Sequence, residues 1–233
     1  MHAVTEEMEG LPPAAQVGLS RYMMRIYLLM SAGVALSAGA AFIAAYDSAV
    51  RNALFTPSGL TGAGWAVTLA PLLLVITIST AVSRISPSTA RVLFFLYALL
   101  VGLSLGVIAY AATGESLALT FLATAGAFAL MGIVGWAGEV DFSPFGTFLM
   151  LALFALVLLM GLNLLARSPG LDILLSAAAI VLFAALTGFD VQRLKRLYSE
   201  GDVRTATVGA LTLYLDFLNM FLSLLRFTGR ARR

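Results

Sequence analysis

Long apolar runs, separated by short polar or turn-forming stretches, recur along the whole chain. A run of about 20 mostly apolar residues suits a helix that crosses the hydrocarbon core of a bilayer. The predicted fold class is therefore an all-α polytopic membrane protein with seven transmembrane helices. These seven predicted spans lie near residues 22–46, 61–82, 90–112, 116–138, 145–166, 171–192 and 206–227.

The same pattern predicts three parts of the chain. Residues 1–20 contain acidic positions and Pro12-Pro13 but no basic stretch before an apolar core, which indicates a polar N-terminal tail rather than a cleaved signal peptide. Residues 21–228 form the predicted seven-helix transmembrane domain, and residues 229–233 form a basic C-terminal tail. The connections are short, so consecutive helices should be antiparallel neighbours.

Composition supports a membrane class and disfavours most enzyme classes. Hydrophobic residues make up 61% of the 233-residue chain and charged residues 11%, whereas about a quarter of a soluble domain is charged. The chain has no cysteine, and its single histidine is His2, which argues against thiolate, Ser–His and His-ligated metal chemistry. We expect no catalytic residue and no tightly bound cofactor. The lipid bilayer is the expected partner, and the net charge of +2 gives no reason to expect nucleic acid.

Basic residues in short loops predict the orientation, since they concentrate on the cytoplasmic side. With seven spans, most of them fall on the side that holds the N-terminus, and we therefore expect a cytoplasmic N-terminus. Those on the N-terminal side are Arg21, Arg25, Arg84, Arg91, Arg193, Lys195, Arg196 and Arg204, against Arg51 and Arg167 on the other side. The C-terminal arginines lie outside if the last segment spans fully and in the cytoplasm if it is re-entrant, and both alternatives remain open.

Polar residues form a stripe along the last predicted span. Their spacings of 4, 3, 4 and 3 place them on one helical face, which should turn toward the bundle interior or a water-filled cavity. An ionised carboxylate at the bilayer centre costs roughly 2.5–3.5 kcal/mol on insertion scales, so Asp216 is a candidate functional residue. The stripe consists of Thr212, Asp216, Asn219, Ser223 and Arg226.

Asp190, near the end of the sixth span, is the expected counterpart of Asp216. Counted from the connecting loop at 199–205, the two residues lie at similar depths in antiparallel helices that rise about 1.5 Å per residue. Thr187 adds a hydroxyl to the same face. Arg84, at the end of the second span, could reach Asp190 as a salt-bridge partner, and Arg193 is a competing partner one turn away.

Two facing carboxylates in a low dielectric resist being ionised together and tend to share one proton. Such a pair would respond to pH by moving one carboxylate toward Arg84 or by admitting a cation. Carboxylate, hydroxyl and amide oxygens are also the ligands that Ca²⁺ prefers, so Asp190 and Asp216 are candidate ligands of a weak, transient Ca²⁺ site. Alternatively, a protonated Asp216 only fixes helix register, and Arg193 neutralises Asp190. The predicted pore-lining polar residues are Thr187, Thr212, Asn219 and Ser223.

The segments that carry these residues resemble a known family. The stretch ALTLYLDFLNMFLSLLRF, from Ala210, closely resembles the last transmembrane segment of the Bax inhibitor-1 family, also called TMBIM proteins. The stretch LFAALTGFDVQRLKRLY, from Leu182, resembles its sixth segment, although Phe189 stands where a tyrosine usually precedes the aspartate. Two further stretches, LVGLSLGVIAY from Leu100 and EVDFSPFGTFLM from Glu139, are similar to its third segment and its fourth-to-fifth connection.

The resemblance implies a seven-helix fold in which a central last helix is enclosed by the other six. It also implies a pH-sensitive Ca²⁺ leak in which Asp190 and Asp216 form the sensor and gate, Arg84 acts as a latch, and Ca²⁺ and protons are the partners. One departure is Leu72-Leu73-Leu74, at a position where some relatives carry an acidic residue.

A bacterial member would lie in the inner (cytoplasmic) membrane, and the resemblance also implies a different role. Bacterial relatives are linked to the modulation of a membrane AAA protease. The alternative function is therefore a non-conducting adaptor that modulates such a quality-control protease or a stress response. Its expected contact surfaces are the N-terminal tail and the loop from Arg193 to Arg204.

Overall fold

A computed structural model describes residues 12–81, 84–138, 140–198 and 203–230. Most of these residues are helical. They also include one β-hairpin, whose two strands have two residues each, and one short 3-10 turn at Ser143–Phe145. The helices are α1 Pro13–Tyr46, α2 Ser48–Leu54, α3 Gly62–Ala81, α4 Pro87–Ser104, α5 Gly106–Ala111, α6 Gly114–Ala137, α7 Gly146–Ala166, α8 Pro169–Arg196 and α9 Val203–Arg230, and the hairpin pairs β1 Phe55–Thr56 with β2 Gly59–Leu60.

Six helical segments within the described residues are long and apolar enough to cross a membrane. Their outward side chains are strongly apolar, with Leu164, Leu165 and Val181 between 71% and 84% exposed, as expected where lipid is the solvent. The all-α polytopic class is therefore confirmed. The six segments are Pro13–Tyr46, Pro87–Ala111, Gly114–Ala137, Ser143–Ala166, Pro169–Arg196 and Ala206–Gly229.

The remaining predicted span, the second along the chain, corresponds to α3, whose apolar part is the shorter stretch Gly62–Ile78. The helix has 20 residues and contains Pro71, so at about 1.5 Å per residue it only just matches a hydrocarbon core of about 30 Å. The predicted span 61–82 also ends on a residue outside the described part of the chain. A total of seven spans therefore stays a prediction.

Several boundaries differ from the predicted ones because caps decide where helices begin. Helix α1 begins at Pro13 rather than near residue 22, since proline suits the first turn of a helix, so part of the predicted polar tail is helical. Helix α8 begins at Pro169, where the Ser168 hydroxyl accepts a hydrogen bond from the Leu171 backbone N–H. The predicted third span is interrupted at Leu105, between α4 and α5. The predicted features at residues 1–11, Glu139, 199–202 and 231–233 lie outside the described residues.

The chain divides into two compact units, which are described separately. The aspartate unit comprises Met1–Arg21, Glu115–Glu200 and Leu215–Arg233, and the tyrosine unit comprises Tyr22–Gly114 and Gly201–Tyr214. Helix α9 contributes its first half to the tyrosine unit and its second half to the aspartate unit.

The aspartate unit has an apolar core between α7, α8 and α9. Helices α6 and α8 approach so closely that a Cβ atom added at Gly135 would lie 2.6 Å from the Gly188 carbonyl oxygen. On α9, the Phe217 ring lies edge-on to Phe121 and Phe128 of α6, with centroids 5.5 and 5.7 Å away. The core side chains are Leu149, Leu156, Leu175, Ala179, Phe183, Leu186 and Met220.

The tyrosine unit packs α1 against α4 and α5 through small residues. A Cβ atom added at Gly106 would lie 2.5 Å from the Ala44 Cβ, and one added at Gly102 would collide with the Ser37 backbone. Small residues let helix backbones approach closely where lipid supplies no hydrophobic driving force. This seam supports the buried rings of Phe94, Tyr97 and Tyr214.

Candidate functional site

Helix α9 is the most buried of the candidate spans. Protein buries 56% of the most apolar 18-residue stretch of α9, compared with at most 33% of the corresponding stretch in each of the other five spans. Most of the polar stripe on α9 is therefore shielded by protein: its most costly member, Asp216, is only 5% exposed, whereas Arg226 at its end is exposed.

Asp216 meets Asp190 within the aspartate unit. Both carboxyl groups are buried, and they are hydrogen-bonded to each other. A hydrogen bond between two carboxyl groups requires a proton on one of them. The Oδ2 atom of Asp216 is buried and has no hydrogen-bond partner among the described residues. The pair thus joins α8 to α9 and leaves one acceptor oxygen unsatisfied, which is costly in a dry interior.

The basic residues predicted near this pair lie in different places. Arg193, one turn after Asp190 on α8, is exposed, and its positive charge attracts the Asp190 carboxylate. Arg84 is exposed in the turn after α3, within the tyrosine unit. Its role as a latch stays a prediction.

Three of the four predicted pore-lining residues direct a donor to their own helix. Thr187 is fully buried and donates to the Phe183 carbonyl at 2.8 Å, and Asn219 donates to the Leu215 carbonyl at 2.8 Å. Thr212, in the tyrosine unit, donates to the Val208 carbonyl at 3.1 Å, while Ser223 is buried in the aspartate unit. A side chain whose donor is occupied in this way still offers acceptor lone pairs, which suit a cation or a water molecule.

The acidic pair offers few ligands for a metal ion. Among the residues that the structure describes, no group of three or more His, Cys, Asp or Glu side chains comes together. Asp190 and Asp216 therefore supply two acidic ligands, whereas Ca²⁺ prefers about six to eight oxygen ligands. The donor set fits a transient cation contact better than a storage site.

Sequence reasoning missed Gln192, which lies two residues beyond Asp190. Its side chain is fully buried; its Oε1 accepts from the Phe142 backbone N–H at 2.9 Å, and its Nε2 donates to the Val140 carbonyl. Lys195, one turn later, donates to the Trp136 carbonyl at 2.7 Å and lies 4.9 Å from the centroid of the Trp136 ring. The spacing of Gln192, Lys195 and Arg196 could have indicated a second polar face on α8.

A neutral polar contact in the tyrosine unit was also missed. The Tyr214 hydroxyl lies 2.7 Å from the Ser37 hydroxyl oxygen, which in turn lies 2.7 Å from the Ala98 carbonyl and 3.0 Å from the Gly33 carbonyl. The sequence analysis did not single out Tyr214. An aromatic ring carries little hydropathy signal for the single polar atom at its tip.

Comparison with known proteins agrees with this architecture. The chain is 37% identical to the inner membrane protein YbhL of Escherichia coli strain K12 over 225 residues, which cover 93% of this chain and 94% of that protein. It is 35% identical to an uncharacterized protein of Borreliella burgdorferi over 219 residues, with 91% and 93% of the two chains covered. It is also 33% identical to the uncharacterized protein RP147 of Rickettsia prowazekii over 220 residues, with 92% of each covered.

A family model supports the same assignment over nearly the whole length. The model described as "Inhibitor of apoptosis-promoting Bax1" matches residues 19–233. The match includes α8 and α9, which carry the segments that first showed the resemblance. The chain is a multi-pass membrane protein that belongs to the Bax inhibitor-1 family.

Proposed function

We propose that this protein is a pH-sensitive Ca²⁺ leak channel that is gated by protonation of Asp190 and Asp216. The observation that carries the proposal is the hydrogen bond between these two buried carboxyl groups, together with the unpartnered Oδ2 of Asp216. A buried network that only held helices together would gain from having every polar atom satisfied. An intramembrane acidic pair with an unsatisfied oxygen is better explained by a site that exchanges a proton or a cation.

The gate works through the charge of the pair. While one proton is shared, the hydrogen bond holds α8 against α9. When that proton is lost, two negative charges face each other at close range in a poor solvent for charge, and they repel. A cation between the carboxylates relieves the repulsion, as does movement of one carboxylate to the Arg84 guanidinium, which we assign as the latch. Thr187, Thr212, Asn219 and Ser223 line the path with acceptor oxygens.

The proposed architecture places this gate in a seven-span bundle. Helix α3 is the remaining span, and α9 is the central helix enclosed by the other six. The high burial of α9 and the length of α3 support this arrangement. The distribution of basic residues supports a cytoplasmic N-terminus. The name of the Escherichia coli relative supports the bacterial inner membrane as the location. We infer a role without catalysis, as in a transport or regulatory membrane protein.

A flux assay tests the gate directly. The purified protein is reconstituted in liposomes that contain a Ca²⁺-sensitive dye, and entry of Ca²⁺ is measured as a function of pH. We expect the wild-type flux to change through a pH transition. In Asp190→Asn and Asp216→Asn an amide can still form a hydrogen bond with the remaining carboxyl, but a second charge cannot develop, so the pH dependence should disappear.

The matched control is Asp172→Asn. Asp172 lies on the same helix as Asp190, and its carboxylate accepts a hydrogen bond from the Asn163 amide at 2.7 Å. This control should keep the wild-type pH profile. If both variants of the acidic pair also keep the wild-type profile, the pair is not the gate.

The latch is tested by Arg84→Gln, with Arg91→Gln as the control, because both arginines are exposed in the tyrosine unit. We expect the Arg84 variant to change the flux on the side of the transition where both carboxylates are charged. Identical profiles for the two variants would remove Arg84 from the mechanism.

The alternative function is a non-conducting adaptor that modulates a membrane AAA protease or a stress response. One contact connects the two expected contact surfaces of the adaptor: Gly18, near the start of α1, packs against the Tyr198 ring just after α8. Deletion of residues 1–12 leaves α1 intact, whereas deletion of residues 1–18 removes its first turns. Loss of co-purifying protease in these variants, together with a wild-type protein that conducts no Ca²⁺, would favour the adaptor. Unchanged partners would count against a contact through the tail.

A further inference from the structure

The connection between α6 and α7 is docked onto the end of α8. We call residues 140–143 the docking loop. Its Val140 carbonyl and Phe142 N–H both bond to the side-chain amide of Gln192, which is fully buried. The amide therefore satisfies a donor and an acceptor of the loop backbone at the same time, as a neighbouring β-strand would do.

Further contacts hold the same face of α8 to the loop and to the end of α6. Arg196 donates to the Ser143 hydroxyl at 2.7 Å, and Lys195 donates to the Trp136 carbonyl near the C-terminus of α6. The Phe142 ring packs so closely on Gly188 that a Cβ atom there would lie 2.8 Å from it. At about 100° per residue, positions 188, 192, 195 and 196 fall within an arc of about 100°, so they share one face of the helix.

Asp190 projects from another side of the same helix. It lies two residues before Gln192. An α-helix turns by about 100° per residue, so the two side chains are about 200° apart around the helix axis. Thr187 lies close to Asp190 on that side. Rotation of α8 about its axis would therefore move Asp190 away from Asp216 as Gln192 left the docking loop.

The close approach of α6 and α8 limits that rotation only through non-directional packing. Gly135 and Gly188 meet backbone to backbone with the Val191 side chain beside them, so this crossing is a packing contact rather than a directional one. The restraint comes from the directional hydrogen bonds of the next turn, where the Gln192 amide has one orientation that satisfies both backbone groups of the loop.

We propose that Gln192 is a positioning residue for the acidic pair: its bonds to the docking loop set the rotation of α8 so that Asp190 faces Asp216. The charged groups around Asp190 are Asp216 from α9 and Arg193 from its own helix, while α6 contributes the uncharged Gly135 at the crossing. The effect on flux rests on the proposed gate, whereas the effect on helix rotation does not.

Two substitutions separate the hydrogen bonds of Gln192 from its bulk. Gln192→Met keeps a side chain of similar length and loses both bonds to the loop. Gln192→Glu restores both when its carboxyl is protonated, because the acid then has an O–H donor and a carbonyl acceptor like the amide, and it loses the donor when ionised. Leu186→Met is the matched control, since Leu186 is a buried residue of α8 in the apolar core.

The structural readout is a distance between spin labels on α8 and α9. The chain has no native cysteine, so labels at Val181→Cys and Phe227→Cys report only those exposed sites of the aspartate unit. We expect Gln192→Met to shift and broaden the distance distribution, and Leu186→Met to leave it unchanged. Gln192→Glu should match the parent at acidic pH and depart from it at alkaline pH, where the bond to the Val140 carbonyl is lost. A parent-like distribution for Gln192→Met would overturn the proposal, as would a glutamate variant that ignores pH.

The functional readout is the pH profile of Ca²⁺ flux in the same liposomes. We expect Gln192→Met to displace the midpoint of the profile, with Leu186→Met unchanged and Gln192→Glu restored at acidic pH. A merely structural role would lower the amount of folded protein without moving the midpoint. If the wild type conducts no Ca²⁺, the proposed function fails while the label distances still decide the role of Gln192.

Discussion

Helix α9 carries two buried polar contacts of opposite character, one in each unit. Tyr214 belongs to the tyrosine unit, where its hydroxyl and that of Ser37 form a neutral contact that continues to the Ala98 carbonyl. Asp216, two residues later, belongs to the aspartate unit, where it meets a second carboxyl group and keeps an oxygen without a partner among the described residues.

The neutral contact specifies how the helices pack, whereas the acidic pair can respond to pH and to cations. The neutral contact carries no charge to lose at physiological pH, so it should stabilise the protein equally across that range. The acidic pair has a proton that must be shared and an oxygen that remains unsatisfied, so its free energy depends on pH and on cations. The comparison can be tested by perturbing each unit in the same way.

The largest effect is expected from a methyl group at the two glycine crossings. Gly135→Ala, in the aspartate unit, would meet the Gly188 backbone, and Gly102→Ala, in the tyrosine unit, would meet the Ser37 backbone. Each variant should lose roughly 1–3 kcal/mol of unfolding free energy because backbones rather than flexible side chains must move. Chemical unfolding in detergent, followed by circular dichroism, measures the loss.

The control is Gly126→Ala, since a Cβ atom at that α6 position meets nothing within 4 Å. It should be neutral or slightly stabilising, because alanine favours a helix more than glycine does. The two crossing variants should differ in flux: Gly135→Ala should also displace the pH profile, and Gly102→Ala should not. If both variants displaced the pH profile equally, packing in the tyrosine unit would affect the acidic pair as much as packing in the aspartate unit.

An effect of similar size is expected from Lys195→Met in the aspartate unit. The variant loses the hydrogen bond to the Trp136 carbonyl and the contact with the Trp136 ring, while methionine retains much of the apolar stem. We expect a loss of about 1–3 kcal/mol, because the carbonyl near the end of α6 is left without its cationic partner. Arg91→Met, at an exposed position, should change the unfolding free energy far less.

In the tyrosine unit, Tyr214→Phe should cost about 0.5–1.5 kcal/mol, because Ser37 can still donate to the Ala98 carbonyl. Ser37→Ala should lower the unfolding free energy by more, since it removes the hydroxyl that is hydrogen-bonded to the buried Tyr214 hydroxyl. Neither variant should move the pH profile of Ca²⁺ flux. A shifted midpoint in either would show that the neutral contact is coupled to the gate.

The smallest effect is expected at Asp141 in the docking loop. Hydrogen bonds from Ser143 and attraction by Arg196 hold the pKa of the Asp141 carboxyl below its usual range. A lowered pKa in the folded state adds stability above the ordinary value, and this stability is lost as the pH falls through the lowered pKa. Asp141 is exposed, so Asp141→Asn should change stability at neutral pH by no more than a few tenths of a kcal/mol. A larger loss in a neutral-pH unfolding titration would contradict this expectation.

Much of the fold was predictable from the sequence because hydropathy is a property of single residues that sums along a helix. The family, the helical class and six of the spans followed from local patterns. The early start of α1 at Pro13 and the small hairpin after α2 were missed, because caps and turns depend on a few residues whose hydropathy is unremarkable.

The candidate site was only partly predictable. The stripe on α9 and the depth of Asp190 follow from helical spacing, which marks both aspartates as candidates. Gln192 was missed because its partners, Val140 and Phe142, lie about 50 residues away in sequence. Spacing within one helix carries no information on which distant backbone groups a polar side chain will meet.

The sequence by itself determined that this chain crosses a membrane and that its last helix has one polar face. The tertiary structure decided which atoms on that face meet: Asp216 with Asp190, and Tyr214 with Ser37. The physical reason lies in helix rotation, which hydropathy only restricts to a broad arc. Close glycine crossings and directional hydrogen bonds, such as those of Gln192, then select one rotation within that arc.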